Sequence, residues 1–266
     1  MTDIQLHHQD CLEGLPALAS GSIDLVVTSP PYNLDIAYSK YRDRLSETDY
    51  LDWSERWFRA VHRVLADDGS FFLNVGGSPS NPLLPHQLIL RAAQCGWVLQ
   101  NTLHWIKSIT LDAGGDTVSR GHFKPIQSKR YVNDCHEYLF HLTKTGNVEV
   151  DRRGVGVAYQ DKSNITRWGH TGGVDKRCRG NTWFMPYKTI KSRDKQRPHP
   201  ATFPIQLPEQ CILLHGPEKV NTMLDPFVGI GHSALAAKGI GVPTFIGFDI
   251  DEGYLEVARE ALNGLL

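Results

Sequence analysis

Six consecutive residues, Thr28-Ser29-Pro30-Pro31-Tyr32-Asn33, put a hydroxyl, a stiff backbone and an aromatic ring side by side. Two adjacent prolines fix φ and remove two N–H donors, so the Ser29 hydroxyl and the Pro30 carbonyl can be presented as a rigid pair of acceptors. Tyr32 adds an aromatic face. That combination suits one kind of chemistry. An amine conjugated to a nucleobase ring is a poor nucleophile because its lone pair is delocalised. Two acceptors on its two N–H groups, with a ring stacked on the base, would favour a nitrogen whose lone pair points at an electrophile. The ring of Tyr32, and not its hydroxyl, is what this reading invokes. An isolated Pro-Pro is most often only a turn, and the second motif argues against that here.

That motif lies nearly two hundred residues later. Asp225-Pro226-Phe227-Val228-Gly229-Ile230-Gly231 follows a short apolar run and precedes a helical stretch. Glycines at a strand-to-helix turn let the backbone approach a ligand and expose helix N-terminal N–H groups. Asp249 follows Gly231 by 18 residues, at the end of the next apolar run. An acid there can accept hydrogen bonds from both hydroxyls of a ribose, and the spacing is close to the roughly 20 residues expected. Strand, glycine turn, helix, strand and acid together indicate a nucleoside-containing cofactor. On spacing alone, NAD and S-adenosylmethionine both remain open.

The elements that must hold these motifs read as an alternation. Strands are predicted at Ile23–Thr28, Ser70–Val75, Trp97–Ile106, Tyr138–Leu142, Thr222–Asp225 and Thr244–Phe248. Helices are predicted at Cys11–Leu18, Thr48–Leu65, Leu83–Cys95, Pro208–His215, His232–Lys238 and Glu252–Leu262, with Asp67-Asp68-Gly69 as a turn. Strands alternating with helices imply a mainly parallel sheet covered on both faces. Three regions follow: 1–106 and 198–266 as the two halves of one α/β domain, and 107–197 as a loop-rich insertion containing a core strand near 138–142.

Net charge is −1 over 266 residues, but the charge is unevenly placed. Residues 107–197 hold 18 Lys and Arg against 9 Asp and Glu, leaving 10 basic against 20 acidic residues elsewhere. Such a segment, with interleaved aromatics, is the footprint of a polyanion partner. No apolar run is long enough for a membrane span, and the first residues lack the pattern of a secretory signal. Five scattered cysteines with no C-x-x-C pair argue against a disulfide framework or zinc finger and suit a reducing cytosol. With no H-x-x-x-H among the histidines, no metal is expected.

Together the motifs resemble the β-class (permuted) DNA amino-methyltransferases, which methylate cytosine N4 or adenine N6 with S-adenosylmethionine. Ser29-Pro30-Pro31-Tyr32 resembles the catalytic motif of that family, and Asp225 to Gly231 its cofactor loop. Gln9-Asp10-Cys11-Leu12 is similar to a Gly-Asp-Cys-Leu segment whose acid approaches the cofactor's adenine, with Gln in place of Gly. His199-Pro200-Ala201-Thr202-Phe203-Pro204 resembles the segment beside its methionine part. The resemblance implies a circularly permuted Rossmann-like methyltransferase fold: seven strands, mostly parallel, with one antiparallel edge strand and helices on both faces. It implies Ser29, Pro30, Pro31 and Tyr32 as catalytic. Asp10, Cys11, Thr28, Ala201, Thr202, Phe203, Asp225, Pro226, Phe227, Gly229, Gly231, Asp249 and Ile250 would hold the cofactor.

The basic middle then becomes the target-recognition region. Lys107, Arg120, Lys124, Arg152, Arg153, Arg167, Arg177, Arg179, Lys191 and Arg193 are its candidate DNA contacts, and the target base must be flipped out of the duplex. Ser at the first motif position is associated with cytosine in that family, with adenine as the alternative. Cytosine C5 methylation would need a thiolate in a Pro-Cys pair, and no cysteine here follows a proline. A non-catalytic DNA binder would be expected to have lost one motif, and an oxidoreductase would leave Ser-Pro-Pro-Tyr unexplained. Candidate partners are double-stranded DNA, a cognate restriction endonuclease and a second copy of the chain, in the cytoplasm at the nucleoid.

Overall fold

The computed structural model describes residues 1–33, 40, 43–78, 81–113, 116–120, 128–132, 134–186 and 202–264. Strands β1 (Asp3–His8), β2 (Ile23–Thr28), β3 (Leu65–Val75), β4 (Val98–Ala113), β5 (Asp116–Arg120), β6 (His136–Thr143), β7 (Thr182–Pro186), β8 (Thr222–Asp225) and β9 (Thr244–Asp249) form one sheet. Its order is β1-β9-β8-β2-β3-β6-β4-β5, with β7 also paired to β4. The first five strands in that order are mutually parallel. Around them lie α1 (Cys11–Gly14), α2 (Glu47–Val64), α3 (Leu84–Gln94), α4 (Asn164–Arg167), α5 (Gln206–His215), α6 (His232–Ile240) and α7 (Glu252–Leu262).

Strand β2 shows why the sheet is covered twice. Ile23 and Val26 pack into one apolar cluster, with Trp57 and Phe58 of α2. Leu25 and Val27 pack into the other, with Leu207 and Cys211 of α5. A continuous apolar run is what a strand buried on both faces requires. Helix α2 begins at Ser46, whose Oγ accepts from Asp49 N at 3.1 Å, and buries Tyr50, Ser54, Trp57, Phe58, Val61 and Val64 on one face.

The strand order reverses direction between β8 and β2. From there β9 and β1 extend one way, and β3, β6 and β4 the other. Such a switch point opens a crevice at the carboxyl ends of the strands, where ligands bind in open α/β sheets. The β2–β8 ladder is short, with only Leu25 opposite Met223 and Val26 opposite Leu224. Below it, Asp24 Oδ2 accepts the N–H groups of Asn221 (2.8 Å) and Thr222 (2.9 Å).

Several expectations change. The antiparallel strand is not at an edge: β6 lies between β3 and β4 and is antiparallel to both. Its start therefore sits at the edge where the parallel strands end. Strand β4 does not stop at Ile106 but runs to Ala113 and pairs with β5, Ala113 opposite Asp116. The Gly114-Gly115 pair in the sequence is a hairpin signal that the charge pattern overshadowed. Strand β7 makes part of the basic segment sheet rather than loop, since it pairs in parallel with β4. Its alternation buries Trp183 and Met185 and leaves Phe184 exposed. Asp67-Asp68-Gly69 does not end the preceding unit. It lies within a bulge, with Asp67 and Asp68 exposed and Gly69 buried, as Leu65 pairs with Ile23 and Ser70 with Leu25.

Candidate active site

One cleft of about 1030 Å³, including the solvent at its mouth, lies at that edge. Ser29, Pro30, Pro31 and Tyr32 line it together with Pro226, Phe227, Gly229, Asp249 and Ile250, and with Asp10, Cys11, Thr202 and Phe203. Four strand ends converge there. β1 leads to Asp10, β2 to Ser29, β8 into the glycine turn and β9 to Asp249.

The Ser29–Tyr32 loop is held from below. Tyr50 Oη on α2 donates to the Pro31 carbonyl at 2.5 Å. Asn33, at φ +56°, pairs its side chain with the Leu45 backbone on both sides, at 3.0 and 2.6 Å, and its N–H donates to Asp43. The region of positive φ is one that Asn tolerates better than most side chains. Tyr32 is buried, and its hydroxyl is fully engaged. It lies 2.6 Å from Ser29 Oγ, 2.8 Å from Asn74 Nδ2 and 3.0 Å from Glu137 Oε2. The sequence reading invoked the ring alone; the structure adds that the hydroxyl is hydrogen-bonded.

Asp249 closes the glycine turn. Its Oδ2 accepts Gly229 N at 2.8 Å and its Oδ1 accepts Asp251 N at 2.9 Å. Burial raises its carboxyl above the usual range. Gly229 and Gly231 both have positive φ, at 51° and 81°. Asp10 caps α1, accepting Leu12 N at 2.8 Å, and burial pushes the Cys11 thiol up. Phe203 is held against the turn by its carbonyl, 2.6 Å from His232 Nδ1.

Thr28, Asp225 and Gly231, expected to touch a cofactor, do not line the cleft. Asp225 is fully buried, and its oxygens are taken by Thr28 Oγ1 (2.5 Å), Ser233 Oγ (2.6 Å) and Phe227 N (3.0 Å). It ties the end of β2 to the start of the glycine turn. Burial raises its carboxyl to about 6. Gly231 is required by packing, since a Cβ there would lie 2.7 Å from Ala258 Cβ on α7. Ala201, Lys124, Lys191 and Arg193 lie outside the described residues, and Arg120 ends β5.

Among the basic candidates, Lys107 Nζ pairs with Glu137 Oε1 at 2.5 Å, beside the Ser29–Tyr32 loop. Arg152 and Arg153 fall in a different place. Asp151 N donates to Leu214 O at 2.7 Å, next to the end of α5 that leads into the start of β8. That is the sheet edge opposite the cleft. Arg177 pairs its backbone with Val157 near the same turn. Arg167 and Arg177 are exposed and Arg179 half-buried.

Sequence reasoning missed Trp53, Lys40, His232 and Tyr254, which also line the cleft. Trp53 and Tyr254 belong to apolar helix stripes, which read as ordinary core. It also missed Asn74 and Glu137. The one signal for Glu137 is a carboxylate inside an otherwise β-forming run, His136-Glu137-Tyr138-Leu139-Phe140.

The chain is 31% identical over 97% of its length to the type II methyltransferase M.ScaI of Streptomyces caespitosus, covering 80% of that protein. It is 27% identical to M.HpaI of Haemophilus parainfluenzae, over 98% of this chain and 74% of that one. Among solved structures, the cytosine-N4-specific PvuII DNA methyltransferase superposes with a TM-score of 0.69 at 20% identity, covering 97% of this chain and 86% of the other. A DNA modification methylase of Thermus thermophilus, solved with S-adenosyl-L-methionine, superposes at 0.63 with 22% identity, covering 98% and 93%. The N6/N4 family model described as DNA methylase matches residues 23–260, and the chain belongs to that family.

Proposed function

We propose that this chain transfers a methyl group from S-adenosylmethionine to the exocyclic N4 amine of a cytosine flipped out of double-stranded DNA. The observation that carries the reading is the shared cleft. Ser29 to Tyr32 and the Phe227–Asp249 region line one cavity although they lie almost two hundred residues apart. The charged side chains among its described lining residues are Asp10, Asp249, Asp251 and Lys40. A mainly acidic lining fits a cationic sulfonium and a ribose better than a pyrophosphate, which favours S-adenosylmethionine over a nicotinamide dinucleotide. When bound, S-adenosylmethionine supplies an electrophilic methyl on a positively charged sulfur, which keeps the bonding pair as the methyl leaves.

The chain's own residues supply position. Asp249 is placed to accept from ribose hydroxyls, while Phe227, Trp53 and Tyr254 offer apolar faces to the nucleoside. Ser29 Oγ and the Pro30 carbonyl accept from the two N–H groups of the target amine, and the Tyr32 ring supports the flipped base. The choice of cytosine rests on Ser29 at the head of the motif and on the specificity in the name of the PvuII enzyme.

The test is incubation with radiolabelled S-adenosylmethionine and unmethylated plasmid DNA, followed by digestion to nucleosides and mass spectrometry. N4-methyldeoxycytidine is the expected product. N6-methyldeoxyadenosine would move the target to adenine, and no methylated nucleoside would overturn the reading.

A further inference from the structure

Behind the Ser29–Tyr32 loop runs a row of polar side chains that the positioning role above leaves unused. Tyr32 Oη lies within hydrogen-bond reach of Ser29 Oγ, Asn74 Nδ2 and Glu137 Oε2. Asn74 Nδ2 also donates to Glu137 Oε2 at 2.6 Å, and reaches Ser29 Oγ at 3.4 Å. Lys107 Nζ holds the other oxygen of Glu137. Asn74 is 1% exposed, and Tyr32 and Glu137 are each 9% exposed, so this row is shielded from bulk water.

Elementary donor rules give the row a direction. An amide nitrogen only donates, and an ionised carboxylate only accepts. Tyr32 therefore accepts a hydrogen bond from Asn74 and donates one to Glu137. The Asn74 carbonyl, at 3.2 Å, is a longer and neutral alternative acceptor. With its single proton committed, Tyr32 can only accept from Ser29. Ser29 is then the donor in the 2.6 Å bond, and beside the long contact from Asn74 it keeps a lone pair for the cleft.

We propose that Glu137 is a positioning residue that makes Ser29 an acceptor, and that it takes up the proton shed by the target amine. The proposal rests on the methyl-transfer reading above. When the nitrogen–carbon bond forms, the nitrogen carries one hydrogen more than the neutral product needs. That hydrogen passes to Ser29 Oγ, the hydrogen of Ser29 passes to Tyr32 Oη, and the hydrogen of Tyr32 passes to Glu137 Oε2. Each hydroxyl loses one proton and gains one. The net change is one proton moved from amine to carboxylate, with no oxidant or reductant involved. Glu137 is the strongest base in the row, and Lys107 holds it in place while it is ionised.

Single-turnover methyl transfer to unmethylated plasmid DNA by the full chain tests this, with S-adenosylhomocysteine affinity measured by calorimetry. Glu137→Gln keeps the shape but can present a donor to Tyr32. Its transfer rate should fall on the order of 100-fold, with calorimetric affinity unchanged. Glu137→Asp, which keeps an acceptor-only carboxylate, should recover part of that rate. Tyr32→Phe cuts the row between Ser29 and Glu137, so it should slow transfer similarly, and the double variant should be no slower than the slower single one. A wild-type rate in Glu137→Gln would overturn the proposal. If that variant does not fold, a wild-type rate in Tyr32→Phe overturns it equally. A wild-type protein that methylates no DNA would instead sink the underlying reading.

Discussion

Asp225 and Asp249 end neighbouring strands, yet only Asp249 reaches the cleft. Asp249 spends one lone pair of each oxygen on a backbone N–H, and a carboxylate has further acceptor sites for a ribose. Asp249→Ala should weaken S-adenosylhomocysteine binding by roughly 1.5–3 kcal/mol, the scale of a hydrogen bond to a charged group. Calorimetry on a folded variant with unchanged affinity would remove Asp249 from the cofactor site. Asp225 is tested through pH. Its folded-state carboxyl is raised from 3.8 to about 6 by burial, so its contribution to stability is present below 3.8 and is lost as pH rises through 6. Asp225→Asn has no such titration. Urea midpoints should therefore show the wild type gaining on the variant as pH falls from about 7.5 to about 5, and a constant difference would deny the burial cost.

At the scale of elements, the glycine turn depends on how closely α7 packs against it. Gly231 combines φ of +81° with a position where a Cβ would meet Ala258. Gly231→Ala should therefore lower stability by more than about 1 kcal/mol, read as a fall in Tm. An unshifted Tm would mean that loop and helix give way without strain. The β8–turn–α6–β9 unit was legible in the sequence because each piece is a short apolar run bounded by proline or glycine. The Ser29–Tyr32 loop was legible for the same reason. Lys107, Asn74 and Glu137 were not legible as a group. They come from three strands, and only the reversed course of β6 between β3 and β4 brings the start of that strand to the cleft. Strand β7 was lost to composition: Arg and Lys on either side of Thr182–Pro186 outweighed a five-residue alternation that proved to be sheet.

For the whole molecule, the placement of charge matters more than its sum. Arg152 and Arg153 sit at the sheet edge opposite the cleft. Lys191 and Arg193 lie outside the described residues, in the basic run that the sequence assigns to DNA contact. Affinity for duplex DNA should fall steeply with salt, with a slope near ~0.9 per phosphate neutralised. Replacing Lys191 and Arg193 by Ala should flatten that slope by up to about 1.8, while replacing Arg152 and Arg153 should leave it unchanged. The reverse pattern in salt titrations would place DNA on the other edge. The same two-sidedness governs the seam between β2 and β8, where the half bearing Ser29 meets the half bearing the glycine turn. Its ladder registers only two residue pairs, but Asp24 fastens one end and Asp225 the other. The two carboxylates act as alignment pins. Sliding one half by a single residue would unseat both at once, so the gap across which a methyl group must travel is gauged by the sheet's interior and not by the loops that face the DNA.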